Sequence, residues 1–328
     1  ALGTLSTDAA GTTTISTDVV TAATLDFNDD VVTTVTSTLT GSTLVDFADT
    51  LTVGDAAGED LTVVGSTVNF NSTVDGGVAG MNDLTVNATT TLFDGVVGGT
   101  AHLGTLTTEV AGVTTLSAAT FDAVSFDFND DVVVNETAQV GTTANTTLVD
   151  LAAGESLTVG DAAGENLTVE GATVNFNGTV DGGVANMNNL TVNSPATLFA
   201  GRVGNGIALG TLSTDAAGTT TVSTDVVTGT TLDFNDAVVT TVSSTLTGTT
   251  LVDFAMALTI GDAAGENLTV EGATANFNGT VDGGVAGMNN LTVNATTTLF
   301  DGVVGGTAHL GTVTTDVAGT TTLSAATF

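Results

Sequence analysis

The chain contains no cysteine, tryptophan or tyrosine, one proline, and one basic residue, Arg202. Without cysteine there is no disulfide framework and no thiolate chemistry, a composition compatible with secretion. A polyanion is bound by Lys and Arg that replace its counterions, and a single Arg excludes nucleic acid as a partner. An anionic membrane surface is excluded on the same ground. No stretch approaches 18 consecutive apolar residues, so no transmembrane helix is expected. Tyr and Trp form the girdles of outer-membrane barrels, and both are missing, which argues against membrane insertion by strands. The mean hydropathy of +0.40 reflects missing basic residues rather than a membrane segment.

What the 328 residues do contain is acid and repetition. Asp and Glu number 36, giving a formal net charge of −35. GDAAGEDLTV from Gly54 returns as GDAAGENLTV from Gly160 and from Gly261, at offsets of 106 and 101. Residues 1–121 align with 208–328 at an offset of 207. Repeats of this kind mark solenoids, propellers or arrays. The copies divide the chain into 1–101, 102–207, 208–308 and a partial repeat 309–328, read as one continuous solenoid over 1–328. Both ends fall in mid-pattern, which suggests a slice of a longer protein.

Within each copy, short alternating runs such as TTTIS, TLDF, LTV and TVNF are separated by Gly, Asn and Asp turns. Alternation with period two, rich in β-branched residues, argues for strands. The anchors Leu5, Leu25, Leu44, Leu61, Leu84 and Leu106 recur about every twenty residues. One such segment cannot bury its apolar face alone, but stacked copies close a continuous core. The prediction is an all-β, right-handed parallel β-helix (β-solenoid) with about 20 residues per coil and roughly 16 coils. Phe70, Phe176 and Phe277 share one repeat position and Phe93, Phe199 and Phe300 another, so ring-filled layers should recur inside it.

The runs LTVNATTTLFDGVVGGTAHLGTLTT (Leu84 to Thr108) and GTTTISTD (Gly11 to Asp18) resemble the repeat regions of large bacterial surface proteins of the filamentous-haemagglutinin and autotransporter-adhesin type. The resemblance covers essentially the whole chain. It implies a β-helix displayed outside the cell or at the cell surface, acting as a fibre or an adhesin.

Polysaccharide-cleaving enzymes also use β-helices, but an active site breaks a repeat. Here Asp26, Asp127 and Asp233 hold one position three times, so no catalytic residue and no enzyme is expected. His102 and His309 share a position with Ala1 and Ala208, which favours a tolerated side chain beside a turn over a metal or catalytic role. Calcium takes six to eight oxygen ligands from carboxylates, amides and carbonyls. The oxygen-rich turns are therefore candidate calcium ligands: Asp26, Asn28, Asp29 and Asp30; Asp127, Asn129, Asp130 and Asp131; and Asp233, Asn235 and Asp236, where Ala237 replaces the last Asp. The alternative is a solvated acidic face. No cofactor other than calcium is suggested, and divalent or monovalent cations should stabilise so acidic a chain by screening. Regular spacing of Thr also admits an ice-binding face, but the spacing differs between successive coils. The even repetition favours a structural extracellular fibre or stalk that self-associates. The other reading is a surface adhesin for a glycan, a host or an abiotic surface.

Overall fold

The computed structural model describes residues 2–109, 111–316 and 318–328. Its regular elements are strands from Leu2–Ser6 to Thr320–Leu323. Among the described residues no helix is long and apolar enough to cross a membrane. The chain forms two compact units, Ala1–Asp161 with Val169–Gly171, and Ala162–Thr168 with Ala172–Phe328. Each is a parallel β-solenoid, and the chain makes about 14 turns.

Local sequence explains the strands. In Leu61–Phe70, Leu61, Val63, Val68 and Phe70 are buried while Thr62 and Asn69 lie on the outer side. Alternate residues of a strand point to opposite faces, so LTV and VNF each deliver two apolar side chains inward. Threonine and valine are also stiff at χ1, which suits a pleated, half-buried surface.

Three ladders of strands line the core of the first unit. One runs through Leu5, Leu25, Val45, Val68, Thr91, Thr114, Val132 and Leu157. The second passes through Thr13, Val31, Leu51, Val74, Val97 and Phe121. The third takes in Val20, Leu39, Val63, Val86, Thr108, Phe128 and Leu151. The chain visits the ladders in turn, so each coil is three-sided. The second unit likewise has three, traced by Val180, Val203, Val227, Leu246, Val270 and Val293; by Leu190, Leu212, Leu232, Val252 and Ala275; and by Thr197, Thr220, Val238, Leu258, Val281 and Val304.

Rungs of the first ladder are unevenly spaced along the chain: Thr114 to Val132 is the shortest step and Val132 to Leu157 the longest. The average coil takes more chain than the sequence anchors imply, so the expected coil is too short and the expected number of coils too large. The error has a structural cause. Leu44 stacks on Thr67 and faces outward, because a bulge after Gly41 turns Val45 into the core. Leu61, Leu84 and Leu106 do stack on one another, but on a different ladder from Leu25.

The sequence repeat and the coil are out of phase. Leu51 and Leu157 are equivalent positions of successive repeats, yet Leu51 lies on the second ladder and Leu157 on the first, four and two-thirds turns further on. In the second unit Leu190 and Leu291 are likewise equivalent and again lie on different ladders, with the same number of strand steps between them. Each repeat therefore restarts a third of a turn away from the last. The additional chain of the longer repeat is absorbed in loops.

Phenylalanines cluster as expected. Phe27, Phe47, Phe70 and Phe93 form a continuous stack with centroids 5.3, 5.2 and 4.7 Å apart. Phe234, Phe254, Phe277 and Phe300 repeat it at 5.5, 5.3 and 4.7 Å. All eight are essentially fully buried.

Candidate functional site

The FND turns divide their oxygens between the two sides of the wall. Phe27 enters the core, Asn28 caps the turn, and Asp29 points inward at 5 % exposure. Its carboxylate accepts hydrogen bonds from Thr7 (2.6 Å) and Thr13 (3.0 Å), both on the preceding coil. The clamp recurs: Asp130 accepts from Thr108 (2.5 Å) and Thr114 (2.8 Å), and Asp236 from Thr214 (2.7 Å) and Thr220 (2.9 Å). The first threonine of each pair also accepts from the backbone N–H of Asn28, Asn129 or Asn235. Burial pushes the carboxyls of Asp130 and Asp236 above the usual aspartate range, and the two threonine hydroxyls partly offset this.

Outside the wall, Asp26 stacks on Asp46, Asp127 on Asp150, and Asp233 on Asp253. The next rung supplies amides: Asn69 and Asn71 donate to Asp46 at 2.8 and 3.2 Å, and Asn276 and Asn278 to Asp253 at 2.9 and 3.1 Å. Asp131 accepts from the N–H and hydroxyl of Ser156, whereas Ala237 opens the corresponding strand of the third copy without a carboxylate. Asp30 likewise opens the strand Asp30–Thr33. Strand alternation thus separates Asp26 from Asp29, Asp127 from Asp130 and Asp233 from Asp236. Among the described residues no three His, Cys, Asp or Glu side chains converge as a metal-holding group.

The same division of labour holds in the loops. In the GDAAGE loop, Glu59 accepts from the N–H groups of Asp55 and Ala56, both at 2.8 Å. Those bonds hold Glu59 below the usual glutamate range, while the adjoining Glu59 carboxylate pushes Asp55 up. Asn82, fully buried, joins this loop to the next coil: its amide donates to the carbonyls of Ala56 (2.7 Å) and Glu59 (2.9 Å) and its oxygen accepts from Val78 N–H (2.8 Å). Asn188 and Asn289 repeat all three bonds. Sequence reasoning missed these asparagines because MND and MNN look like solvated turns; their recurrence at offsets of 106 and 101 was the available signal.

Compared with known proteins, the chain matches no family model, no curated protein and no solved structure.

His102 has a steric role. Gly80, in the left-handed region at φ 72°, lies beneath it, and a Cβ there would come within 2.8 Å of Nε2. His309 covers Gly287 in the same way at 3.0 Å. In the intervening copy both partners change together: Asn186, also left-handed at φ 63°, replaces the glycine, and Ala208 replaces the histidine. The side chain that fills this space comes from one coil or the other. Arg202 makes a two-pronged ion pair with Asp225 on the following coil, 2.8 Å from Nε and 2.6 Å from the guanidinium terminus, with both side chains about half exposed. A shallow groove over Ala196 and Leu198, flanked by Thr173, Thr219 and Thr221, contains no titratable side chain.

The arrangement has a common chemical character. Carboxylates accept from hydroxyls, N–H groups and amides, amides donate to carboxylates and carbonyls, and most of these bonds cross from one coil to the next and recur from copy to copy.

Proposed function

We propose that this chain is a non-catalytic structural element of an extracellular fibre or stalk, built from stacked coils and self-associating. The observation that carries this reading is the threefold repetition of its polar bonding. The Thr–Asp–Thr clamp and the asparagine bridge each occur three times in equivalent positions. A catalytic site would need a local departure from the repeat. The one basic residue, Arg202, departs from the repeat and is paired with Asp225.

Scarcity of basic residues fits a role outside the cell. Trypsin has one cleavable residue, and its guanidinium is held by a carboxylate across the coil boundary. Screening by cations, divalent or monovalent, stabilises so acidic a surface without requiring a dedicated site.

Electron microscopy of the native material, with and without a chelator, tests the reading. Continuous filaments with an axial repeat near about 4.8 Å support a structural fibre. Isolated short rods projecting from a cell surface would replace it with an adhesive display.

A further inference from the structure

Sulfur in this chain is confined to its surface. There is no cysteine, and all four methionines are exposed: Met81 by 57 %, Met187 by 55 %, Met288 by 56 % and Met256 by 51 %. Methionine is ordinarily among the most buried residue types, yet a core of Leu, Val, Ile, Ala and Phe uses none of the four. Met81, Met187 and Met288 hold one repeat position, at the tip of the loop GGVAGM or GGVANM. They recur even where both flanks change: Gly80 and Asp83 become Asn186 and Asn189 in the middle copy. The bonds that tie these tips into the coil run through backbone. Met81 N–H donates to the carbonyl of Val78 (3.0 Å) and its own carbonyl accepts from Gly58 N–H on the preceding coil (2.9 Å); Met187 and Met288 repeat both bonds. Side-chain bridging is left to the adjacent asparagines, Asn82, Asn188 and Asn289. Backbone bonds of this kind are open to any residue with an N–H, so packing gives no reason for a thioether at the tip.

We propose that the three tip methionines are oxidation sites, exposed thioethers that consume neutral peroxides reaching the chain and leave its coils intact. The inference stands whether or not the chain forms a fibre. A sulfur lone pair attacks one oxygen of hydrogen peroxide, and the S–O bond forms as the O–O bond breaks. The departing hydroxide takes the proton left on the transferred oxygen and leaves as water. Sulfur is oxidised by two electrons and the peroxide is reduced. Oxidation makes the side chain polar, which disrupts a core or an interface built on methionine. In this chain the sulfoxide forms in solvent, at residues whose bonds to neighbouring coils are made by N–H and carbonyl groups.

Charge selects the oxidant. The loops bonded to the Met81 and Met288 tips carry the exposed carboxylates of Asp55 and Asp262, on a chain with a net charge of −35. Such a field repels anionic oxidants and does not act on neutral hydrogen peroxide. Each repeat contributes one tip, so the capacity for peroxide grows with the number of repeats.

The test treats the 328-residue chain with hydrogen peroxide, locates sulfoxide by mass spectrometry and follows the fold by thermal melts. With excess peroxide, wild type should gain oxygen at all four methionines, the three tips at the rate of N-acetylmethionine amide, with an unchanged melting curve. With one equivalent per chain, Met256 takes one share of four in wild type. In the Met81→Leu/Met187→Leu/Met288→Leu variant the sulfoxide at Met256 should rise about fourfold, because its competitors are gone. Anionic peroxymonosulfate should oxidise the tips more slowly than the model compound in low salt and catch up in 1 M NaCl, where the Debye length is about 3 Å. Tips that react more slowly than the model compound with hydrogen peroxide overturn the proposal, as does a melting curve that falls once they are oxidised. An unchanged yield at Met256 in the Leu variant also overturns it. Equal rates with peroxymonosulfate in low salt would overturn the selection by charge.

Discussion

Replacing Asp26 and Asp233 by asparagine should stabilise the protein. Each of these carboxylates lies directly beside another, Asp46 and Asp253, on a neighbouring parallel strand. Adjacent strands are about 4.8 Å apart, and two like charges at that distance repel by about 1 kcal/mol in bulk-water dielectric. Cross-strand side-chain pairs are worth roughly 0.2–1 kcal/mol in practice. The asparagines would also continue the amide rungs that Asn69 and Asn276 already provide. The expected gain is about 0.5–1 kcal/mol per site, or a rise in Tm of a few degrees for a unit of about 160 residues. Ser6 donates to Asp26 at 2.9 Å, and an amide oxygen keeps that bond. Thermal melts in low salt would measure the gain, and it should shrink in 1 M NaCl. The reasoning is refuted if the double variant is destabilised and has also lost a calcium-dependent rise in Tm shown by wild type. That result would mean that a cation sits between the paired carboxylates.

Stability should increase as pH falls from neutrality. Asp130 and Asp236 titrate above their unfolded value in the folded state, because burial disfavours their charge. Between the unfolded and folded pKa the native state holds more protons, so unfolding becomes harder as pH drops through that window, and the extra stability is lost again as pH rises through it. Urea midpoints between pH 7 and the upper edge of the carboxylate range check this, and Asp130→Asn/Asp236→Asn should flatten the profile. Asn289→Ala should cost about 1–3 kcal/mol, since it removes a fully buried side chain and leaves one N–H and two part-buried carbonyls without that partner; chemical denaturation measures it, and a loss under about 0.5 kcal/mol would contradict the bridging role. Gly80→Asn alone should destabilise by clashing with His102, and adding His102→Ala should restore most of the loss, as the pairing of Asn186 with Ala208 implies. A double-mutant cycle with no coupling would reject that account.

Much of the architecture was legible because its signals are local. LTV and VNF alternate with period two, the glycine turns recur, and the Phe positions fix where the rings stack. The three ladders were harder to see. Rungs fall at uneven intervals along the chain, and a single bulge after Gly41 makes Leu44, a plausible anchor, an outward residue. The candidate site was only half legible. Asp26, Asn28, Asp29 and Asp30 read as one oxygen-rich turn, and nothing in their composition shows that Asp29 faces inward. What turns it is the hydroxyl pair of Thr7 and Thr13, 22 and 16 residues upstream, and a bond across coils has no signature in a short window. Asn82 was overlooked for the same reason.

The slip of a third of a turn per repeat makes the three sides of the coil interchangeable parts. An LTV segment that stacks on Val31 and Val74 through Leu51 in one repeat stacks on Val132 through Leu157, on another ladder, in the next, so each side must accept the strands of the other two. A gene that gains or loses a whole repeat by unequal crossing-over would then encode a chain whose every strand still finds a compatible rung, merely rotated. Length can drift in such a protein without any compensating change elsewhere in its sequence.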